Sequence, residues 1–217
     1  MSTATLILGE SGAGKSTSLR NLDPAQTLLI QAVRKPLPFK GKGWAYFSKD
    51  ACPTGNVFVS DQYTAILKMM EKTRRKVVIL DDAQYVLANE FMRRSDETGF
   101  SKFTEIGRHA WEIFMLANNL ADDVRVYILS HTETGDGGQT KIKTIGRMLD
   151  EKITIEGLFS IVLRARVIDG EHFFQTRNSG SDTVKSPMGL FDADRINNDL
   201  ALVDNAICDY YEINQPA

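Results

Sequence analysis

Apolar residues along this chain arrive in short unbroken runs, separated by stretches in which they recur every three or four positions. That is the pattern of buried parallel strands alternating with amphipathic helices. Thr5–Leu8, Thr27–Gln31, Val57–Ser60, Val77–Leu80, Val124–Ser130 and Leu158–Ala165 read as strands, and Trp44–Phe47 as a shorter one. Helical spacing follows residue 15, with Leu19 and Leu22 inward, and spans Tyr63–Lys72, with Ile66, Leu67 and Met70 inward. Ser60 or Asp61 is placed to cap that second helix. A long helix is predicted over Phe103–Ala121, with Phe103, Ile106, Ala110, Ile113, Phe114 and Ala117 as its apolar stripe. His109 lies one step off this stripe and reads as a structural histidine. Val167–Phe174 reads as a hairpin, because Asp169-Gly170 is a strong two-residue turn signal. Ile196–Ile213 reads as helical. The expected fold is α/β: one domain over residues 1–217, in three layers, with a mostly parallel sheet, helices on both faces and an antiparallel hairpin appended toward the C-terminus.

Three segments break the pattern. Arg34-Lys35-Pro36-Leu37-Pro38-Phe39-Lys40-Gly41-Lys42-Gly43 is a basic turn, since proline and glycine interrupt both regular elements. Phe91–Lys102 and residues 134–147 are polar, charged and glycine-containing, and read as mobile loops. Composition adds bounds rather than detail. A chain of 217 residues is long enough to bury a full core. A net charge of −2 gives no global basic signature, so any nucleic-acid contact must come from local patches. Cys52 and Cys208 lack metal-ligand spacing and fit a reducing compartment, hence an expected cytoplasmic location. No apolar run approaches a membrane span, and the chain enters a strand at once, which leaves no room for a signal peptide.

The chemistry concentrates at the ends of the strands. After the first strand comes Gly9-Glu10-Ser11-Gly12-Ala13-Gly14-Lys15-Ser16-Thr17, which satisfies G-x-x-x-x-G-K-S/T between a strand and a helical pattern. In such a P-loop, glycines let backbone N–H groups converge on phosphate oxygens, and the following helix adds the positive end of its dipole. Lys15 is then expected at the β- and γ-phosphates, Ser16 on Mg²⁺ and Thr17 near the α-phosphate. Glu10 is a further carboxylate near the phosphates whose side chain is expected to face solvent. The run Val77–Leu80 ends in Asp81-Asp82, at the edge where open α/β sheets place their ligands. Asp81 is expected to hold Mg²⁺, directly or through water, and Asp82 to polarise an attacking water. His131, at the end of the next strand, is a candidate sensor of the γ-phosphate. Without a guanine-recognition motif, ATP is the default nucleotide.

These segments together resemble the phage-encoded, RecA-like core ATPases of the single-strand-annealing recombination type. The resemblance covers nearly the whole chain. It rests on GESGAGKST, the Lys35-Pro36-Leu37-Pro38-Phe39 turn, VVILDD, Ser130-His131-Thr132-Glu133, KIKTIGRMLDEKITIEGLFSIVLRA and DTVKSPMGLF. It implies a RecA-like P-loop fold and a Mg²⁺-dependent ATPase acting in phage DNA recombination or replication. Such an ATPase works on single-stranded DNA as a homo-oligomer, often beside a phage single-strand-binding protein. RecA-like ATPases bind nucleotide between subunits and complete the site with a neighbour's basic residue, for which Lys185 and Arg177 are the candidates. DNA is expected against the basic loops, through Arg93, Arg94, Lys102, Lys141, Lys143 and Arg147, although these loops offer only Phe100 for base stacking. One departure stands out: the catalytic Glu usual after the second strand is missing from Gln31-Ala32-Val33, so Asp82 or Glu133 replaces it or hydrolysis is slow. Two other functions compete. A nucleotide-gated assembly factor, such as a helicase loader, would bind ATP and hardly turn it over. A small P-loop nucleotide kinase would need an arginine-rich lid, and beyond Arg93-Arg94 no such cluster follows the acidic strand.

Overall fold

The computed structural model describes residues 1–135, 138–145 and 152–213. Its strands are β1 (Thr3–Leu8), β2 (Thr27–Gln31), β3 (Val57–Val59), β4 (Val77–Asp81), β5 (Arg125–Ser130), β6 (Thr132–Thr134), β7 (Thr140–Ile142), β8 (Ile161–Ile168), β9 (Glu171–Gln175) and β10 (Arg195–Asn197). Eight of them form one sheet in the order β10-β9-β8-β1-β5-β4-β2-β3, while β6 and β7 pair separately. From β8 to β3 all neighbours run parallel, and β9 and β10 add an antiparallel edge. The chain is thus α/β, with a mostly parallel sheet flanked by helices.

Side-chain alternation divides the core in two. Leu6, Leu8, Val78, Leu80, Val126 and Ile128 point to one face, where α1 (Tyr63–Lys72), α2 (Gln84–Arg93) and α3 (Ser101–Ala117) cover them with Ile66, Met70, Val86, Leu87, Ile106, Ile113 and Phe114. Ile7, Ile79, Tyr127, Leu129 and Leu163 point to the other, against Leu19 and Leu22 and against Leu200, Val203 and Ile207 of α4 (Leu200–Tyr210). Full burial of each such aliphatic side chain is worth roughly 1.5–3 kcal/mol, so this two-faced apolar core dominates the stabilising side. Because β5 lies between β1 and β4, the C-terminal ends of β1, β5, β4 and β2 open onto one edge of the sheet.

Several expectations are corrected. The segment after the glycine-rich loop is a 3₁₀ turn, Ser16–Asn21, rather than an extended helix. Ser16, Thr17 and Ser18 compete for backbone hydrogen bonds, and the Ser18 hydroxyl donates to the Lys15 carbonyl at 2.6 Å. A helix dipole therefore contributes little there, although Leu19 and Leu22 are buried as expected. Trp44–Phe47 makes only an isolated bridge, Tyr46 to Val57. Part of the segment expected as a loop over Phe91–Lys102 is helical, because α2 runs to Arg93 and α3 starts at Ser101. At its far end α3 stops at Ala117, where the Asn118 and Asn119 amides donate back to the Phe114 and Met115 carbonyls. Of residues 134–147, Thr140–Ile142 form the strand β7 of a hairpin with β6, while residues 136–137 and 146–147 lie outside the described residues. Ile196–Ile213 divides into β10 and α4, which begins where Asp199 caps the Ala201 N–H at 3.0 Å. The β8–β9 hairpin forms as expected, with Asp169 and Gly170 both at positive φ (52° and 81°), as its two-residue turn requires.

Candidate functional site

At the open edge of the sheet the glycine-rich loop, the acidic strand end and the basic turn surround a cavity of about 230 Å³. Gly12 (φ 81°) and Gly14 (φ 96°) take left-handed backbone that β-carbon-bearing residues rarely adopt. A β-carbon on Gly14 would also sit 3.0 Å from both Asn198 Oδ1 and His172 Nδ1. The Lys15 ammonium folds back into this loop and donates to the carbonyls of Gly9 (2.7 Å) and Glu10 (3.0 Å). Burial lowers its pKa to about 8, against the opposing pull of Asp82 and Asp81. Lys15 is thus a buried cation held by neutral carbonyl acceptors, a disadvantage that a bound anion would relieve.

The Ser16 hydroxyl lies 3.0 Å from both carboxylate oxygens of Asp81. Burial, reinforced by the negative charge of Asp82, raises the Asp81 pKa to about 6, with Ser16 and Lys35 opposing. A hydroxyl and a carboxylate, both oxygen donors, suit a hard cation such as Mg²⁺ that takes its remaining ligands from phosphate and water. Asp82 is nearly buried and sits in left-handed backbone (φ 59°) just past β4. It forms a salt bridge with Lys35 from the basic turn, and His131 Nε2 approaches its Oδ1 at 3.5 Å. The His131 pKa falls, first through burial and then through the charge of Lys15. A neutral imidazole results near pH 7.

The structure thus gathers Ser11 through Thr17, Asp81, Asp82 and His131 around one cavity. Gly9 packs against β8, where an added β-carbon would meet the Ala165 carbonyl at 2.8 Å, and Glu10 is exposed. Glu133 stands on β6 with Lys141 at 3.3 Å and does not line the cavity. Lys185 joins Val162 through reciprocal backbone hydrogen bonds, and Arg177 pairs with Asp194 at 2.8 Å; neither lines the cavity.

Much of the basic set assigned to DNA has internal partners. Arg93 pairs with Asp61 at 2.6 Å, and Arg94 reaches Glu90, Glu97 and Glu105. Lys102 is buried and donates to the carbonyls of Arg94, Ser95 and Glu97, closing the turn between α2 and α3. Lys143 is exposed, and Arg147 lies outside the described residues. His109 is structural: it stacks on Tyr63 with ring centroids 3.6 Å apart, and its Nδ1 lies 2.8 Å from Glu90.

Three residues at the site escaped assignment from sequence. Gln31 is buried, pairs in register with Asp81 and donates to the Lys35 carbonyl at 3.2 Å, while its Oε1 has no partner among the described residues. Gln84 Oε1 accepts from the His131 N–H at 3.3 Å. Lys35 belongs to a turn whose composition signals only a basic loop; its ion pair depends on where the sheet puts Asp82. The sequence matches no protein-family model, and no curated protein matches it.

Proposed function

We propose that this chain is a Mg²⁺-dependent, ATP-binding ATPase of the RecA-like P-loop kind. The observation that carries the reading is the Ser16–Asp81 contact, set beside a buried Lys15 in a loop of positive-φ glycines. Lys15 exchanges the Gly9 and Glu10 carbonyls for β- and γ-phosphate oxygens, whose negative charge raises its lowered pKa again. Ser16 and Asp81 hold the metal ion, whose role when bound is to neutralise charge on the phosphates. Asp82 orients the attacking water and His131, neutral, donates or accepts a hydrogen bond at the terminal phosphate. Such a site works mostly by positioning and charge stabilisation.

The wider role is action on single-stranded DNA in phage recombination or replication, as a homo-oligomer beside a single-strand-binding protein. It is supported by the sequence resemblance. The antiparallel β9–β10 edge accords with the RecA-like branch. A second reading, a nucleotide-gated assembly factor with slow turnover, is favoured by uncharged Gln31 where a catalytic Glu is expected and by the Lys35 salt bridge on Asp82. ATP hydrolysis measured with Mg²⁺, with and without single-stranded DNA, separates the two. Turnover that rises with DNA and vanishes in Lys15→Ala supports the recombination ATPase. Tight ATP binding with near-zero turnover under both conditions supports the assembly factor.

A further inference from the structure

The Lys35-Pro36-Leu37-Pro38 turn forms one wall of the P-loop cavity through Lys35, Pro36 and Pro38. Its backbone is tied down: the Lys35 carbonyl accepts from Gln31 Nε2 at 3.2 Å and from the Tyr46 hydroxyl at 3.3 Å. Arg34 lies over the Tyr46 ring at 4.8 Å, and two prolines restrict the segment that follows. The Lys35 side chain, by contrast, is 45% exposed, while the carboxylate it contacts is 4% exposed. A fixed base thus carries a partly free ammonium, which neutralises the acid at the mouth of the cavity.

Charge sets what happens when a triphosphate enters. Lys15 reaches the β- and γ-phosphates from the glycine-rich loop, and the far side of the terminal phosphate then faces Asp82, His131 and Lys35 across the same cavity. It brings more negative charge than one carboxylate and more acceptor oxygens. Lysine binds phosphate as a point charge on a flexible stem, with no fixed bidentate geometry to preserve. A diphosphate leaves that position empty and Lys35 on Asp82.

We propose that Lys35 is a terminal-phosphate sensor acting within its own chain: it holds Asp82 in the empty and diphosphate states and moves to the γ-phosphate when a nucleoside triphosphate binds. The inference rests on the nucleotide-binding reading above. It makes the basic turn a reader of nucleotide state and gives Asp82 its freedom to orient water only when a γ-phosphate is present.

The test is equilibrium binding of the β,γ-imido analogue of ATP and of ADP, each with Mg²⁺, to the wild type, Lys35→Met, Lys35→Arg, Asp82→Asn and the Lys35→Met/Asp82→Asn double variant. The wild type is expected to prefer the triphosphate, and Lys35→Met to weaken that arm about tenfold while ADP affinity stays unchanged. Lys35→Arg should keep most of the preference. Asp82→Asn, which removes the competing carboxylate, should tighten triphosphate binding in the wild-type background and have no such effect beside Lys35→Met. An unchanged triphosphate-to-diphosphate ratio in Lys35→Met overturns the proposal and leaves the nucleotide site standing. Equal loss of both ligands also overturns it, since that marks a purely structural lysine. A wild type that binds neither nucleotide overturns the site and the sensor together.

Discussion

The two ends of β5 and its neighbours each bury charge, in opposite ways. At the N-terminal end Arg125 makes a bidentate pair with Asp204 of α4 (3.0 and 2.8 Å), and the Tyr127 hydroxyl donates to the same carboxylate at 2.5 Å. The guanidinium also donates to the Asp123 carbonyl at 2.9 Å. Although Arg125 and Asp204 also line a cavity of about 350 Å³, their charges are matched to one another, and the pair ties α4 to the sheet. At the C-terminal end Asp81, Asp82, Lys15 and Lys35 border a cavity, with a carboxyl pushed up to about 6, an amine pushed down to about 8 and an unpartnered Gln31 oxygen among the described residues. One cluster spends its charges on the fold; the other keeps them imperfectly satisfied, as a site awaiting a ligand does.

The largest expected effect breaks the matched cluster. Asp204→Ala leaves Arg125 buried without its carboxylate and is expected to destabilise the protein by about 3–5 kcal/mol in urea unfolding. The folded fraction should bind nucleotide as before. At the open cluster the same kind of change has the opposite signature. Lys15→Ala should weaken ATP binding by about a hundredfold in a fluorescence titration. Its unfolding midpoint should hold or rise, because a poorly placed charge is gone. A fall in stability as large as that of Asp204→Ala would erase the distinction between the two ends.

Next in size is the proton linkage of Asp81. Its folded pKa, about 6, lies above its ordinary value of 3.8, so the native state holds the proton more tightly than the unfolded chain. The resulting penalty is absent below pH 3.8, grows as pH rises through about 6, and is constant above. Asp81→Asn should therefore gain on the order of 3 kcal/mol over the wild type at pH 8 without Mg²⁺, and almost nothing near pH 4. Urea unfolding at the two pH values measures it. The smallest effect is the titration of Lys15 itself. Phosphate prefers the charged ammonium, so ATP affinity should be level below pH 8 and fall about tenfold by pH 9, as calorimetry across that range would record.

The sheet and the site's core were legible because local signals and global fold agree there. Runs such as Val77–Leu80 have no amphipathic reading, and the glycine spacing of residues 9–17 suits the tight turn that Gly12 and Gly14 make at positive φ. Helix α2 was missed because its inward residues, Val86, Leu87 and Glu90, make a short stripe interrupted by a charged one. That Glu90 is buried against His109 of α3, a long-range contact, beside its i+4 partner Arg94. The same cause hid the partners of Lys102 and Arg94, whose charges read as solvent-facing until α2 and α3 close on one another. The 3₁₀ turn after Lys15 was obscured because Leu19 and Leu22 are three apart, a spacing that α and 3₁₀ windings share.

The most direct test of the account is calorimetric titration of the wild-type protein with ATP at pH 7, first with Mg²⁺ and then with the metal chelated. Saturable binding of one ATP per chain is expected, weakening when Mg²⁺ is removed, since Ser16 and Asp81 would then face phosphate without a cation between them. Absence of binding at millimolar ATP, or binding indifferent to both Mg²⁺ and Lys15→Ala, would contradict it.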